Sequence, residues 1–235
     1  MTPLRIAIIG HGKMGRAVAA LAEKRGHRIH TIVKRIENPG GRALTAERLA
    51  GTDVAVEFTR PDAVVVNLER LIDLGIPTVT GTTGWTEELP RVTAKVEQQR
   101  GALLHAPNFA TGVQLFFRAA RELARCFRGR HEFTVGISEE HHQAKLDAPS
   151  GTALLLQRQL WAEEPGRRFP ISSIRSGDSP GIHSLTYQGQ HETVTLSHVS
   201  HSRDAFAAGA VTAAEWLPGR TGVFTFEEML FGAAT

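Results

Sequence analysis

The stretch Glu139-Glu140-His141-His142-Gln143-Ala144-Lys145-Leu146-Asp147-Ala148-Pro149-Ser150-Gly151-Thr152 gathers two imidazoles, an ammonium and two hydroxyls. An imidazole, with an ordinary pKa of about 6.5, gives or takes a proton near neutrality, so His141 and His142 fit general acid–base work. Lys145 adds a point charge. If a helix begins at Gly151, the backbone N–H groups of Gly151 and Thr152 are unpaired in its first turn. With the Ser150 and Thr152 hydroxyls they can hold a carboxylate. The chemistry implied is proton transfer on an anionic substrate; the plain alternative is an exposed loop with a Ser or Asp cap. A zinc site is disfavoured, because adjacent histidines diverge, no H-x-x-x-H or Cys pair accompanies them, and Lys145 would repel a cation. Thiol catalysis is disfavoured too: the single cysteine, Cys126, sits in an arginine-rich helical stretch outside every glycine loop.

These groups need a strand to deliver them and a helix to receive the ligand. Upstream, Phe133, Val135 and Ile137 alternate with polar or small residues, the period of a half-buried strand. Downstream, Ala153 to Leu156 with Leu160 and Trp161 give a helix an apolar face. Residues 139–152 are therefore expected as a loop from a strand end to a helix start.

The start of the chain offers a second site. Leu4 to Ile9 is a compact apolar strand running into Gly10-His11-Gly12-Lys13-Met14-Gly15 and then a helical pattern through Val18, Leu21 and Ala22. This is a dinucleotide-binding fingerprint in its proper context. The first glycine makes the tight turn, the second lets a pyrophosphate approach the backbone, and the third allows close helix–strand packing. The alternative is a glycine-rich structural turn. A second strand, Arg28 to Val33, ends where an NAD-preferring site carries an acid for the ribose 2′-hydroxyl, yet Lys34 and Arg35 follow it. Two cations can pair with a 2′-phosphate, so the expectation leans from NADH towards NADPH, against the alternative of two solvated charges.

Further strands are expected at Val54 to Phe58 and Thr78 to Thr80, with a helix through Val64, Leu68 and Leu71 between them. Gly81-Thr82-Thr83-Gly84-Trp85 follows the second of these, offering close backbone approach and hydroxyl donors to a cofactor lying across a sheet. Strand Ala102 to His105 leads to Ala106-Pro107-Asn108-Phe109. Alternating strands and helices imply a Rossmann-type, doubly wound parallel sheet, with ligands at the carboxyl ends of its strands.

After Thr111 the pattern changes to one long amphipathic helix reaching about Arg128, then strands in succession: Ile171 to Ile174, Ser184 to Tyr187 and Thr193 to Val199. This implies a second, α+β domain with a mixed or antiparallel sheet. A helix from Arg203 and a closing Val223 to Phe226 segment, with Thr225 and Glu228 at capping-box spacing, are too short to fold alone. The expected division is 1–107 with 205–235 for the nucleotide, and 108–204 for substrate and oligomerisation. Paired crossings near Pro107 to Gly112 and Ser200 to Arg203 would form a hinge.

The formal charge of +3 and pI of about 9.4 fit anionic small ligands as well as nucleic acid. The one basic cluster, Arg118, Arg121, Arg125 and Arg128, has helical spacing and is read as a solvated or subunit-facing side, not a phosphate stripe. One cysteine permits no internal disulfide, no secretory signal is evident, and no apolar run nears the roughly 20 residues that span a bilayer. A cytoplasmic protein with neither nucleic-acid nor membrane partners is expected.

The motif Glu139 to Thr152, above all His141-His142, Lys145 and Asp147-Ala148-Pro149-Ser150-Gly151-Thr152, resembles the dihydrodipicolinate reductase family of bacterial lysine and diaminopimelate synthesis. The resemblance extends to the opening glycines, Val56-Glu57-Phe58-Thr59, Gly81-Thr82-Thr83-Gly84, Ala106-Pro107-Asn108-Phe109, and Ser202-Arg203 before Phe206 and Gly209-Ala210-Val211. Ile182 departs from it, standing where many members have an acidic residue. The resemblance implies His141 as proton donor or acceptor, Lys145 as proton donor, and His142, Gly151 and Thr152 as substrate contacts. It implies NADPH or NADH held by Gly10 to Gly15, Gly81 to Thr83 and Ala106 to Phe109. It also implies a cytoplasmic homotetramer acting on a cyclic imine dicarboxylate, with the nicotinamide where the domains meet. Its rivals are a non-catalytic nucleotide sensor, which would have no use for the acid, and another imino-acid dehydrogenase such as an aspartate dehydrogenase.

Overall fold

The computed structural model describes residues 2–202 and 204–232; Arg203, singled out in the motif beside Ser202, lies outside the described residues. In chain order the elements are β1 (Arg5–Ile9), α1 (Lys13–Lys24), β2 (Arg28–Val33), β3 (Val54–Glu57), α2 (Pro61–Asp73), β4 (Thr78–Thr80), α3 (Leu89–Gln98) and β5 (Ala102–His105). There follow α4 (Thr111–Phe127), β6 (Thr134–His141), α5 (Gly151–Glu163), β7 (Ile171–Arg175), β8 (Ile182–Gln188), β9 (Thr193–Val199), α6 (Asp204–Trp216), β10 (Gly222–Thr225) and α7 (Phe226–Phe231). They divide into two compact units, Met1–Ala110 with Phe206–Thr235, and Thr111–Ala205.

The first unit is a six-stranded, wholly parallel sheet in the order β10-β5-β4-β3-β1-β2. Parallel strands covered on both faces read as unbroken apolar runs, which is why Ile6 to Ile9 are all fully buried. Alternate residues of β1 serve opposite faces: Ile6 and Ile8 join Val18 of α1 and Val211 of α6, whereas Ala7 and Ile9 join Leu71 of α2. Thr225 and Glu228 form the capping box their spacing predicts, starting α7.

The second unit is a four-stranded mixed sheet, β7-β6-β8-β9, in which β6 runs parallel to β7 and antiparallel to β8. Helix α4 packs on α5 and β9, and α5 packs on β6. Phe127 stacks on Tyr187 with ring centroids 4.2 Å apart. Two expectations need correcting. Strand β6 does not stop before Glu139: it runs to His141, because central pairing with both β7 and β8 carries the ladder through Glu139 and Glu140. And Trp161 is 60% exposed, the apolar face of α5 being Ala153, Leu156 and Leu160 alone. No helix among the described residues is long and apolar enough to cross a membrane.

Candidate active site

Ile137, Glu139 and His141 share the buried face of β6, so the apolar alternation of the strand continues with polar side chains on the same face. Glu139 is 1% exposed. One carboxylate oxygen accepts from the Arg175 guanidinium at 2.8 Å; the other lies in hydrogen-bond contact with His141 Nδ1. Burial works to raise the Glu139 carboxyl, but hydrogen bonds from Arg175, Ser173 and His141 outweigh it and hold it below the ordinary carboxylate range. For His141, burial lowers the imidazole, Glu139 opposes it, and Lys145 and Arg175 add to the lowering, leaving the ring below its ordinary value. A third imidazole, His183 on β8, meets His141 edge-on at 5.1 Å and shares a 3.1 Å hydrogen bond with Ser150 Oγ. Burial first, then the charges of His141, His198 and Lys145, bring His183 down to about 4 against the pull of Glu139, so it is neutral near neutrality.

The connecting loop is shorter than the sequence implies, 142–150. It is pinned by the His142 N–H to the Ser179 carbonyl at 2.8 Å and by Arg175 donating to the Asp147 carbonyl at 2.6 Å. Ser150 caps α5, its hydroxyl accepting from the Ala153 N–H at 3.2 Å, which with its contact to His183 leaves it buried. Lys145 donates to both oxygens of Asp147, at 2.7 and 2.9 Å. Those bonds, aided by the Gly151 N–H, hold the Asp147 carboxyl below its usual range. The exposed Asp147 carboxylate thus stands among the donors expected to hold a ligand carboxylate, and a ligand using them has to replace it.

In the first unit, a cleft of about 780 Å³ opens at the carboxyl ends of β1 and β2, lined by Gly10, His11 and Gly12 on one side and Lys34 and Arg35 on another. A Cβ at Gly10 would fall 2.1 Å from the Phe58 carbonyl oxygen, and one at Gly15 1.9 Å from that of Gly10, so both positions require glycine. At Gly12 a Cβ would meet nothing within 4 Å: the open space lies on the ligand side, as a pyrophosphate cradle demands. The nearest acid after β2, Glu37, accepts from the Lys34 N–H and pairs with Arg48 at 3.0 Å, and it does not line the cleft. A dinucleotide fits these residues.

Lys13, Met14, Gly15, Gly81, Thr82, Thr83 and the segment Ala106, Pro107, Asn108, Phe109 lie outside the lining of that cleft. The last two groups follow neighbouring strands β4 and β5, joined by the Ala106 N–H to the Thr80 carbonyl at 3.2 Å. Thr82 is almost fully buried, donating to Glu57 at 2.7 Å and accepting from the Thr59 N–H at 2.8 Å. Sequence reasoning gave no role to Glu57, Glu139, Arg175 or His183. The period-2 continuation Ile137, Glu139, His141 was the available signal for Glu139; nothing local marks Arg175, which reaches it from another strand.

A glycine-fingerprinted parallel sheet, carried in one chain with a mixed sheet presenting a histidine–lysine loop, defines a nicotinamide-dependent oxidoreductase of two units. Residues 4–109 match the family model described as dihydrodipicolinate reductase, N-terminus, and residues 112–230 match that of its C-terminus. The 4-hydroxy-tetrahydrodipicolinate reductase of Christiangramia forsetii is 33% identical over 238 residues, covering 97% of this chain and 98% of its own. That of Neisseria meningitidis serogroup B is 31% identical, covering 98% of each chain. In fold, the chain is similar to a dipicolinate-bound dihydrodipicolinate reductase from Paenisporosarcina sp. TG-14, with a TM-score of 0.78, 24% identity, and coverage of 97% and 100%. The chain belongs to the dihydrodipicolinate reductase family.

Proposed function

We propose that this chain reduces 4-hydroxy-tetrahydrodipicolinate to tetrahydrodipicolinate in diaminopimelate and lysine synthesis, using NADPH or NADH. The overall change adds a hydride and a proton and loses water. The observation that carries the reading is the end of β6 with the loop that follows it, which bring His141 and Lys145 together ahead of the N-terminus of α5, within a chain whose two halves both match the reductase family.

The nucleotide would be held by Gly10, His11, Gly12, Lys13, Met14 and Gly15, with Gly81, Thr82, Thr83 and Ala106 to Phe109 towards its nicotinamide end. Bound nicotinamide supplies the hydride. Substrate carboxylates would be taken by the Gly151 and Thr152 N–H groups, the Thr152 hydroxyl, Ser150 and His142, with Lys145 released from Asp147 to pair with them. His141 and Lys145 would then manage the proton: the lowered imidazole rests neutral, and Lys145 is the cation available to donate. Lys34 and Arg35 support a preference for NADPH, since both line the cleft and Glu37 is engaged elsewhere. The family resemblance extends the reading to a cytoplasmic homotetramer, which sedimentation and cell fractionation would check.

The test is nucleotide oxidation by purified protein, with and without the product of dihydrodipicolinate synthase. Oxidation that depends on that product supports the reading. Nucleotide binding without oxidation would favour a sensor, and oxidation with an unrelated imino acid would favour the other dehydrogenases.

A further inference from the structure

Among the described residues, the group most deeply buried beside the proposed acid–base residue is Glu139, and the mechanism above leaves it without work. We propose that Glu139 is the positioning residue for His141: its carboxylate holds the ring with Nδ1–H directed into the sheet, so that Nε2 alone faces the reacting molecule. This rests on His141 carrying the proton transfer.

Three observations converge. The Glu139 oxygen against Nδ1 can only accept, and with Arg175 donating to the other oxygen at 2.8 Å the carboxylate stays ionised, so the ring nitrogen beside it must be the donor. At the opposite edge of the ring, a Cβ on Gly181 would come within 3.1 Å of Nε2, and Gly181 has φ +141, so a glycine keeps that edge clear of a side chain. Arg175 also donates to the Asp147 carbonyl in the loop that carries Lys145, so one guanidinium sets both the carboxylate behind His141 and the backbone in front of it. The charged and titratable groups facing the ring are Glu139 on its own strand, Arg175 on β7, His183 on β8 and Lys145 on the loop.

Glu139, His141 and His183 also offer ligand atoms within 4.8 Å of one another. A cation there would break the contact between Glu139 and His141 and sit beside Arg175, with Lys145 repelling it. The carboxylate on one ring nitrogen fixes the tautomer and so decides what the other nitrogen can do.

The experiment has two arms. In the first, nitrogen-15 spectra of the imidazoles of the full chain at neutral pH should assign His141 a protonated Nδ1 and a bare Nε2. Glu139→Gln, which keeps shape and can present an amide N–H to the ring, should mix the tautomers. In the second, Glu139→Gln should lower kcat by about 10- to 100-fold with KM changed less than about threefold, and should shift the pH–rate profile. On a His141→Ala background the same substitution should change kcat by less than about twofold. Glu139→Asp should recover part of the loss if the shorter carboxylate still reaches Nδ1. A wild-type ring protonated at Nε2, equal losses on both backgrounds, or zinc displacing the Nδ1 proton would overturn the proposal. Parental turnover in His141→Ala would overturn the reading beneath it, while the spectra would still report the tautomer.

Discussion

Each unit of this molecule buries a glutamate at a strand's carboxyl end, and their surroundings are opposite in kind. Glu57 is fully buried among neutral donors: Thr80 at 2.6 Å, Thr82 at 2.7 Å, Thr59, and Asn67 at 3.4 Å. Glu139 is as deeply buried, but between a guanidinium and an imidazole. Burial raises the Glu57 carboxyl against its four hydrogen bonds, whereas at Glu139 the hydrogen bonds from Arg175, Ser173 and His141 outweigh burial and lower it. The comparison teaches that an acid with charged partners keeps its ionised form inside a fold where one with neutral donors is pushed towards the protonated form. In the first unit the acid joins the hydroxyls of Thr59, Thr80 and Thr82, and in the second it joins an imidazole to a guanidinium.

The largest expected effect lies in the second unit. His141→Ala should lower kcat by about 10²–10⁴ with a modest change in KM, while Lys145→Ala should depress kcat and raise KM as well. Nucleotide affinity measured without substrate should be unchanged in both, and a loss there would break the division of labour between the units.

Acid should strike the second unit next. The His183 value falls from the ordinary 6.5 to about 4 in the folded chain, so protonation favours unfolding. The stability from keeping this ring neutral is complete above about pH 6.5 and is lost as pH falls towards 4. That loss amounts to about 3 kcal/mol. Urea titrations across that window should detect it, and His183→Asn should flatten the dependence if His183 is its source.

In the first unit, Lys34→Ala with Arg35→Ala should weaken NADPH by roughly tenfold or more and spare NADH. Equal losses for both nucleotides would remove these cations from 2′-phosphate recognition.

The smallest effect tests the glutamate pair itself through the sign of its pH dependence. Glu57 has its folded value raised, so its contribution is present below the unfolded pKa and lost as pH rises through the folded one. Glu139 has its value lowered, so its contribution is present above the unfolded pKa and lost as pH falls. Relative to wild type, Glu57→Gln should gain stability with rising pH and Glu139→Gln should lose it. Slopes of the same sign would end the contrast.

Much of this was legible beforehand because runs of apolar or β-branched residues announce a strand whatever its direction. β2, β4, β5 and β9 have the bounds expected of apolar or β-branched runs, closed by glycines or polar residues. β6 was misjudged at Glu139-Glu140-His141, because a charged run looks like loop until Arg175, 36 residues on, is paired with its buried acid. Trp161 misled for the reverse reason: its apolar character predicts burial, yet its place on α5 turns it outward. The strand, helix and glycine pattern is local information, whereas the pairing of charges across a sheet is not.

The sheet order carries one more consequence. β10, at residues 222–225, is the edge partner of β5, which ends at His105, so the whole second unit is made before that partner exists. During synthesis β5 presents an open edge of unpaired backbone groups while β6 to β9 emerge, and such edges invite pairing with the wrong strand. Completion of the six-stranded sheet therefore waits on residues 222–225, and a ribosome-bound fragment stopped before Gly222 would leave the β5 edge open to such pairing.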